Sequence, residues 1–342
     1  MFSINMDLRH LIRFTIASNA NIKISRKFSS VVLSNSLVGV KYDQKNTVLE
    51  SVSEDLSEVT PYFPESFNIA AYVNKSETLQ NLIKLNVNLS KIEKKPHIVN
   101  KLLKMDFEKD MKNNIFFIKD FVDSENIGNY ITKNPLILCE SIENFQVRIN
   151  YLQSKKFSNL QIHEIIARNP FWLMFSTERI DKRLGYFQNK FSLNGNEVRL
   201  LATKQPKIIT YSIQHINTNS FVVKEEMGFN DEEVKALLLN KPRIWMTSKP
   251  CQKSLLERFN YLHNVIKIPH SSILHYPNVL LCRNFKVKQR HMFLETLGRA
   301  QYNANKENYI PLKALIENTD SEFCKNYAKC NVDDFNLFLK TL

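Results

Sequence analysis

The chain has 342 residues, a formal net charge of +13 at pH 7 and a pI near 9.4, a balance that suits an anionic partner. Its six glycines are scattered and its five cysteines lack metal spacing, which excludes a glycine-rich phosphate loop and a zinc-finger framework. No apolar run approaches the ~20 residues that cross a bilayer as a helix.

Residues 1–28 hold Arg9, Arg13, Lys23, Arg26 and Lys27 against the single acid Asp7. An acid-poor, Arg-containing, amphipathic start predicts a mitochondrial transit peptide, with cleavage after Phe28 in Arg26-Lys27-Phe28-Ser29. The alternative is a basic tail without targeting function. Residues 29–65 reverse the sign: Asp43, Glu50, Glu54, Asp55, Glu58 and Glu65 outnumber Lys41 and Lys45. With Pro61 and Pro64 closing it, this segment is expected to be an acidic flexible linker. The two segments cancel in charge, so the basic surplus belongs to residues 66–342.

From Ser66 a helical pattern begins, and from Pro96 it repeats. Pro96, Pro135, Pro170, Pro206, Pro242 and Pro277 recur at intervals of 35–39 residues. The second and third residues after each are apolar: Ile98/Val99, Ile137/Leu138, Trp172/Leu173, Ile208/Ile209, Ile244/Trp245 and Val279/Leu280. Eight and four residues before the proline lie Ile127/Ile131, Ile162/Ile166, Val198/Ala202 and Val234/Leu238, one face of a helix. Six residues after it stand Ser141, Ser176, Ser212 and Ser248, each expected to be an N-cap. A second apolar stripe follows, as in Phe145, Ile149 and Leu152, or Ile180, Leu184 and Phe187. Each repeat thus reads as a helix, a proline break, a short apolar turn and a longer helix. Such a period predicts an all-α, helical-repeat solenoid over 66–342, with a C-terminal cap from about residue 299.

Catalytic chemistry finds no constellation. The eight histidines form no zinc-protease pair, and no catalytic residue, metal site or cofactor is assigned. Cys324 and Cys330 are expected to pack as small apolar residues. Trp172 and Trp245 share one register and are expected in the core rather than as base-stacking platforms.

Some basic residues also repeat. Arg148, Arg183 and Arg290 lie thirteen residues after their prolines, on the flank of the apolar stripe. Near them stand Arg179 and Lys182, Arg243 and Lys249, Lys286 and Lys288. These nine residues are expected to form a stripe of phosphate contacts along one side of the superhelix. The alternative is a solvated helix face, paired with acids such as Glu178 or Asp181.

The proline-marked repeat resembles that of the mTERF family, the mitochondrial transcription termination factors. The resemblance covers roughly residues 66–342. Phe67 to Val73, Ser76 to Gln80, Phe285 to His291, Tyr302 and the ending Asp334-Phe335 to Leu342 narrow it to one animal branch. It implies a curved half-doughnut superhelix with a basic concave path for nucleic acid. It implies a mitochondrial matrix location, in the nucleoid or on the ribosome. It further implies repression of mitochondrial transcription near the promoter region and a part in assembly of the large ribosomal subunit. Mitochondrial DNA, ribosomal RNA and mitoribosome assembly proteins are the implied partners. No residue is assigned to the base-stacking role of the founding member. Two function classes fit: a nucleic-acid-binding regulator, and a helical scaffold holding a protein partner in its concave groove. The arginines in register favour the first.

Overall fold

The structure is a computed structural model that describes residues 69–342. The expected transit peptide at 1–28 and linker at 29–65 lie outside the described residues. The chain divides into two compact units, Met1–Ser76 and Glu77–Leu342. The described part of the first holds one short helix, Ala70–Val73. All that follows concerns the second.

Every regular element among the described residues is helical. The repeat is built as its pattern demands. Ile127–Lys133, Asn159–Arg168, Gly195–Lys204, Asp231–Asn240 and His270–His275 form the first helices. Each stops two residues short of its proline, because proline restricts the residue before it and brings no N–H. A tight turn follows, Pro135–Cys139, Pro242–Met246 and Pro277–Leu280 being 3-10 helices and Pro206–Thr210 one α-turn. Second helices then run over Ile142–Ser154, Thr177–Lys190, Ile213–Phe221, Lys249–Asn260 and Asn284–Thr296.

Both stripes and the post-proline pairs are buried, apart from the half-buried Val99. Trp172 and Trp245 are 1% and 0% exposed and pack in the core. Three of the four serines cap as expected: Ser141, Ser176 and Ser212 accept from the backbone N–H of Asn144, Arg179 and His215. Ser248 has no side-chain cap contact, and Pro250 stands in the first turn of its helix. The first helices carry capping boxes, with Ser158/Gln161, Asn194/Glu197 and Asn230/Glu233 reciprocally bonded at one register, twelve residues before the proline.

The region from 299 continues the pattern. Pro311 opens a further turn, Leu312–Leu315, with Leu312, Ala314 and Leu315 buried. Two short helices, Asp320–Phe323 and Val332–Leu339, follow and pack on each other through Phe323 and Phe335. Cys324 is buried and Cys330 half-buried, both as free thiols. Among the described residues no helix is long and apolar enough to cross a membrane.

One glycine fixes how closely two repeats approach. A Cβ on the buried Gly128 would stand 2.1 Å from the carbonyl oxygen of Leu85 and 2.4 Å from that of Asn86, both backbone atoms. Neither can give way as a side chain can. Gly128→Ala is therefore expected to destabilise by about 1–3 kcal/mol, the range for overpacking a rigid site. Chemical denaturation measures it, and an unchanged midpoint would contradict so close an approach.

Candidate nucleic-acid interface

The break that defines each repeat leaves a chemical debt. A turn of four or five residues cannot satisfy its own last carbonyls, and these are buried. The preceding repeat supplies the donors. Asn114 Nδ2 donates to the carbonyls of Ile137, Leu138 and Glu140 at 3.1, 3.0 and 2.8 Å. Arg148 Nη1 donates to Leu173, and Arg183 Nη1 to Ile209 and Tyr211 at 2.8 and 2.6 Å. Asn219 Nδ2 reaches Trp245 and Thr247 at 2.8 and 3.0 Å, and Arg258 Nη1 reaches Leu280. Arg290 closes the series, with Nη1 on Ala314 and Glu317 and Nη2 on Asn318 and the Asp320 carboxylate. In every repeat one acceptor is the carbonyl three residues after the proline.

This corrects the expected stripe. Arg290 is 0% exposed, so no phosphate reaches its guanidinium by the side that binds the turn. Arg148 and Arg183 are half-buried, and their head groups are spent on the next repeat rather than on a groove. Arg148 also pairs with Glu140 at 3.2 Å, and burial together with neighbouring Arg179 pulls the Arg183 pKa down. A helical wheel gives the direction of a side chain; it does not show that a neighbouring turn holds unpaired carbonyls. Asn219 was the signal available in the sequence. It occupies the arginine register without a charge, and N–H donation is what the two residue types share.

The other members of the stripe fare differently. Lys286 is half-buried, its Nζ donating to Ile316 and Asn318 at 2.8 and 3.2 Å, and burial lowers its pKa. Arg179, Lys182, Arg243, Lys249 and Lys288 are exposed. Arg179 stands over the Phe175 ring at 4.0 Å, which holds its guanidinium in place at the surface. Lys182 pairs with Glu178 at 2.5 Å, but both are about three-quarters exposed, so the pair is weak and easily exchanged for another anion. Lys288 lies 5.3 Å from the centre of the Tyr261 ring.

A second basic register becomes visible only with the repeats stacked. Two residues before the proline stand Lys94, Lys133, Arg168, Lys204, Asn240 and His275, all exposed. All but Lys94 occupy the C-terminal ends of the first helices, where the dipole favours a cation. Three of these side chains run along the stack: Arg168 Nη1 to the Thr203 carbonyl at 3.5 Å, Lys204 Nζ to Leu239 at 2.9 Å, Asn240 Nδ2 to Leu274 at 3.4 Å. Each therefore lies on the residue just before its counterpart in the next repeat. Exposed Lys207 and Arg243, one residue after their prolines, flank the same break. Burial first, and then the charge of Lys241, lowers the Lys204 pKa, so cations are crowded here. The result is a solvent-facing basic column of Lys133, Arg168 and Lys204, the last two linked to the next repeat. It can neutralise a run of phosphates without reading bases.

A family model described as mTERF matches residues 22–324. The chain is 46% identical over 277 residues to "Transcription termination factor 3, mitochondrial" of Drosophila melanogaster, covering 81% of this chain and 77% of the relative. The mouse protein of the same name is 42% identical over 299 residues, covering 86% and 72%. A mouse "Transcription termination factor 4, mitochondrial" is 26% identical over 157 residues, 45% of this chain and 44% of the relative.

Proposed function

The chain belongs to the mTERF family, and we propose that it is a mitochondrial nucleic-acid-binding regulator of transcription. The observation that carries this reading is the exposed register Lys133, Arg168 and Lys204, of which the last two reach along the stack to the next repeat. Arg179, Lys182, Arg243, Lys249 and Lys288 add exposed charge to the same unit. The names of the relatives support action in the mitochondrion, and the acid-poor start of the sequence supports delivery to the matrix. Within that reading, repression near the promoter of mitochondrial DNA and a role in assembling the large ribosomal subunit are the finer proposals. Crosslinking in intact mitochondria, followed by sequencing of the bound nucleic acid, separates them: promoter-proximal DNA supports the first, ribosomal RNA the second. Recovery of neither would overturn the reading.

The column itself is tested by salt. If Lys133, Arg168 and Lys204 each neutralise one phosphate of duplex DNA, changing all three to Gln lowers the slope of log affinity against log salt by about 2.7. The loss is expected to be similar across unrelated sequences. Exposed Lys104, Lys119 and Lys190, outside the register, make the charge-matched control. Equal losses in both triple variants would show that bulk charge, and not the column, binds.

A further inference from the structure

The helix Asn284–Thr296 begins without the serine found at the start of its four counterparts. Where Ser141, Ser176 and Ser212 cap three of the other second helices with a hydroxyl, Arg283 stands and its side chain accepts nothing. The first-turn N–H groups of this 13-residue helix thus lack a side-chain acceptor, at the end where the dipole favours an anion.

Beside this helix start is an open cavity of about 370 Å³ lined by Arg283, Phe285, Lys286, Gln289, Arg290 and Asp320, among others. Its lining has too many donors. Among the described residues the exposed Arg283 guanidinium has no hydrogen-bond or ion-pair partner, and the Gln289 carboxamide has none either. Lys286 Nζ uses two carbonyls, which leaves one N–H. Arg290 is fully buried, and its Nε–H meets no acceptor although both Nη atoms do. Three cations face one carboxylate, Asp320, which already pairs with Arg290 at 2.7 Å. Arg290 is too deeply buried to meet a ligand itself, but its charge lies beside the cavity, where a compact anion with several oxygens can accept from Arg283, Lys286 and Gln289 at once.

We propose that this cavity seats a phosphate group. Arg283 and Lys286 supply the charge, the uncapped helix start supplies N–H donors, and Phe285 offers an aromatic face at the rim. Phe285 is 54% exposed, an unusual cost for a phenyl ring, and stacking a base on it would recover part of that cost. The phosphate can come from a nucleotide chain or be free inorganic phosphate. The site goes beyond the function proposed above. It shares no residue with the column Lys133, Arg168 and Lys204, so the two readings fail separately.

The experiment is calorimetric titration of the full chain, at low ionic strength, with inorganic phosphate and with a 5′-phosphorylated dinucleotide. Arg283→Ser is the informative variant, because it removes the cation and introduces the serine cap found in three other repeats. It is expected to weaken both probes by about 10- to 100-fold, the equivalent of one charge-assisted hydrogen bond, with no loss of thermal stability. Phe285→Ala should leave inorganic phosphate unaffected and weaken the dinucleotide if a nucleotide is the source. Equal dinucleotide binding by wild type and Phe285→Ala would assign the cavity to free phosphate. The Lys133, Arg168, Lys204 triple variant should bind both probes as wild type does. Failure of wild type to bind either probe, or Arg283→Ser binding like wild type, overturns the proposal.

Discussion

Arg290→Ala is expected to lower stability by about 3–5 kcal/mol, the range seen when one member of a buried charge network is removed. The guanidinium bridges three carbonyls and a carboxylate that come from the turn after Pro311 and the chain that follows it. Alanine would leave Ala314 O, buried within the core, without its donor, and would open a cavity against the Phe323 ring, which the guanidinium covers at 4.6 Å. Lysine is a poor substitute, since a single ammonium cannot fork across acceptors held in a fixed plane. Urea denaturation of the wild type, Arg290→Ala and Arg290→Lys gives the numbers. A loss below 1 kcal/mol for alanine would mean that the turn is held without this arginine, and the clamp would be incidental.

Trp245→Ala is expected to cost a similar amount, about 3–5 kcal/mol for a fully buried ring. Trp245 is 0% exposed and meets Phe191 edge to face at 5.9 Å. Its Nε1–H donates to the buried Ser220 hydroxyl at 3.0 Å, while its carbonyl is held by Asn219 at 2.8 Å. The residue therefore joins apolar packing to the same inter-repeat clamp that Arg290 serves at the C-terminal end. Because the clamps link successive repeats, both losses should appear as a shifted midpoint of one transition. If Trp245→Ala cost under 1 kcal/mol, the ring would not be a core element, and its role as a base-stacking group would reopen.

Position in the repeat, then, carries more information than residue type. Arg148, Arg183 and Arg290 share a register and a charge, yet their common task is to donate N–H groups to a buried turn. Lys133, Arg168 and Lys204 share another register and remain in solvent. Salt slope and denaturation midpoint distinguish the two sets: the first should move stability, the second affinity.

The helical class, the repeat period, the proline breaks, the buried pairs and three of the serine caps could all be read along the chain. They depend on interactions within one repeat, over a span of a few helical turns, where spacing alone puts residues on a common face. The capping boxes at Ser158, Asn194 and Asn230 were equally local and were legible to anyone aligning the repeats twelve residues before each proline. What the sequence could not decide was which basic residues face water. That choice is made between repeats, where an unpaired carbonyl of one turn meets the helix of the repeat before it, some 25 residues away in the chain. A buried carbonyl without a donor costs more than an arginine gains from an exposed position, so the turn claims Arg148, Arg183 and Arg290, and the surface is left to the basic residues of other registers.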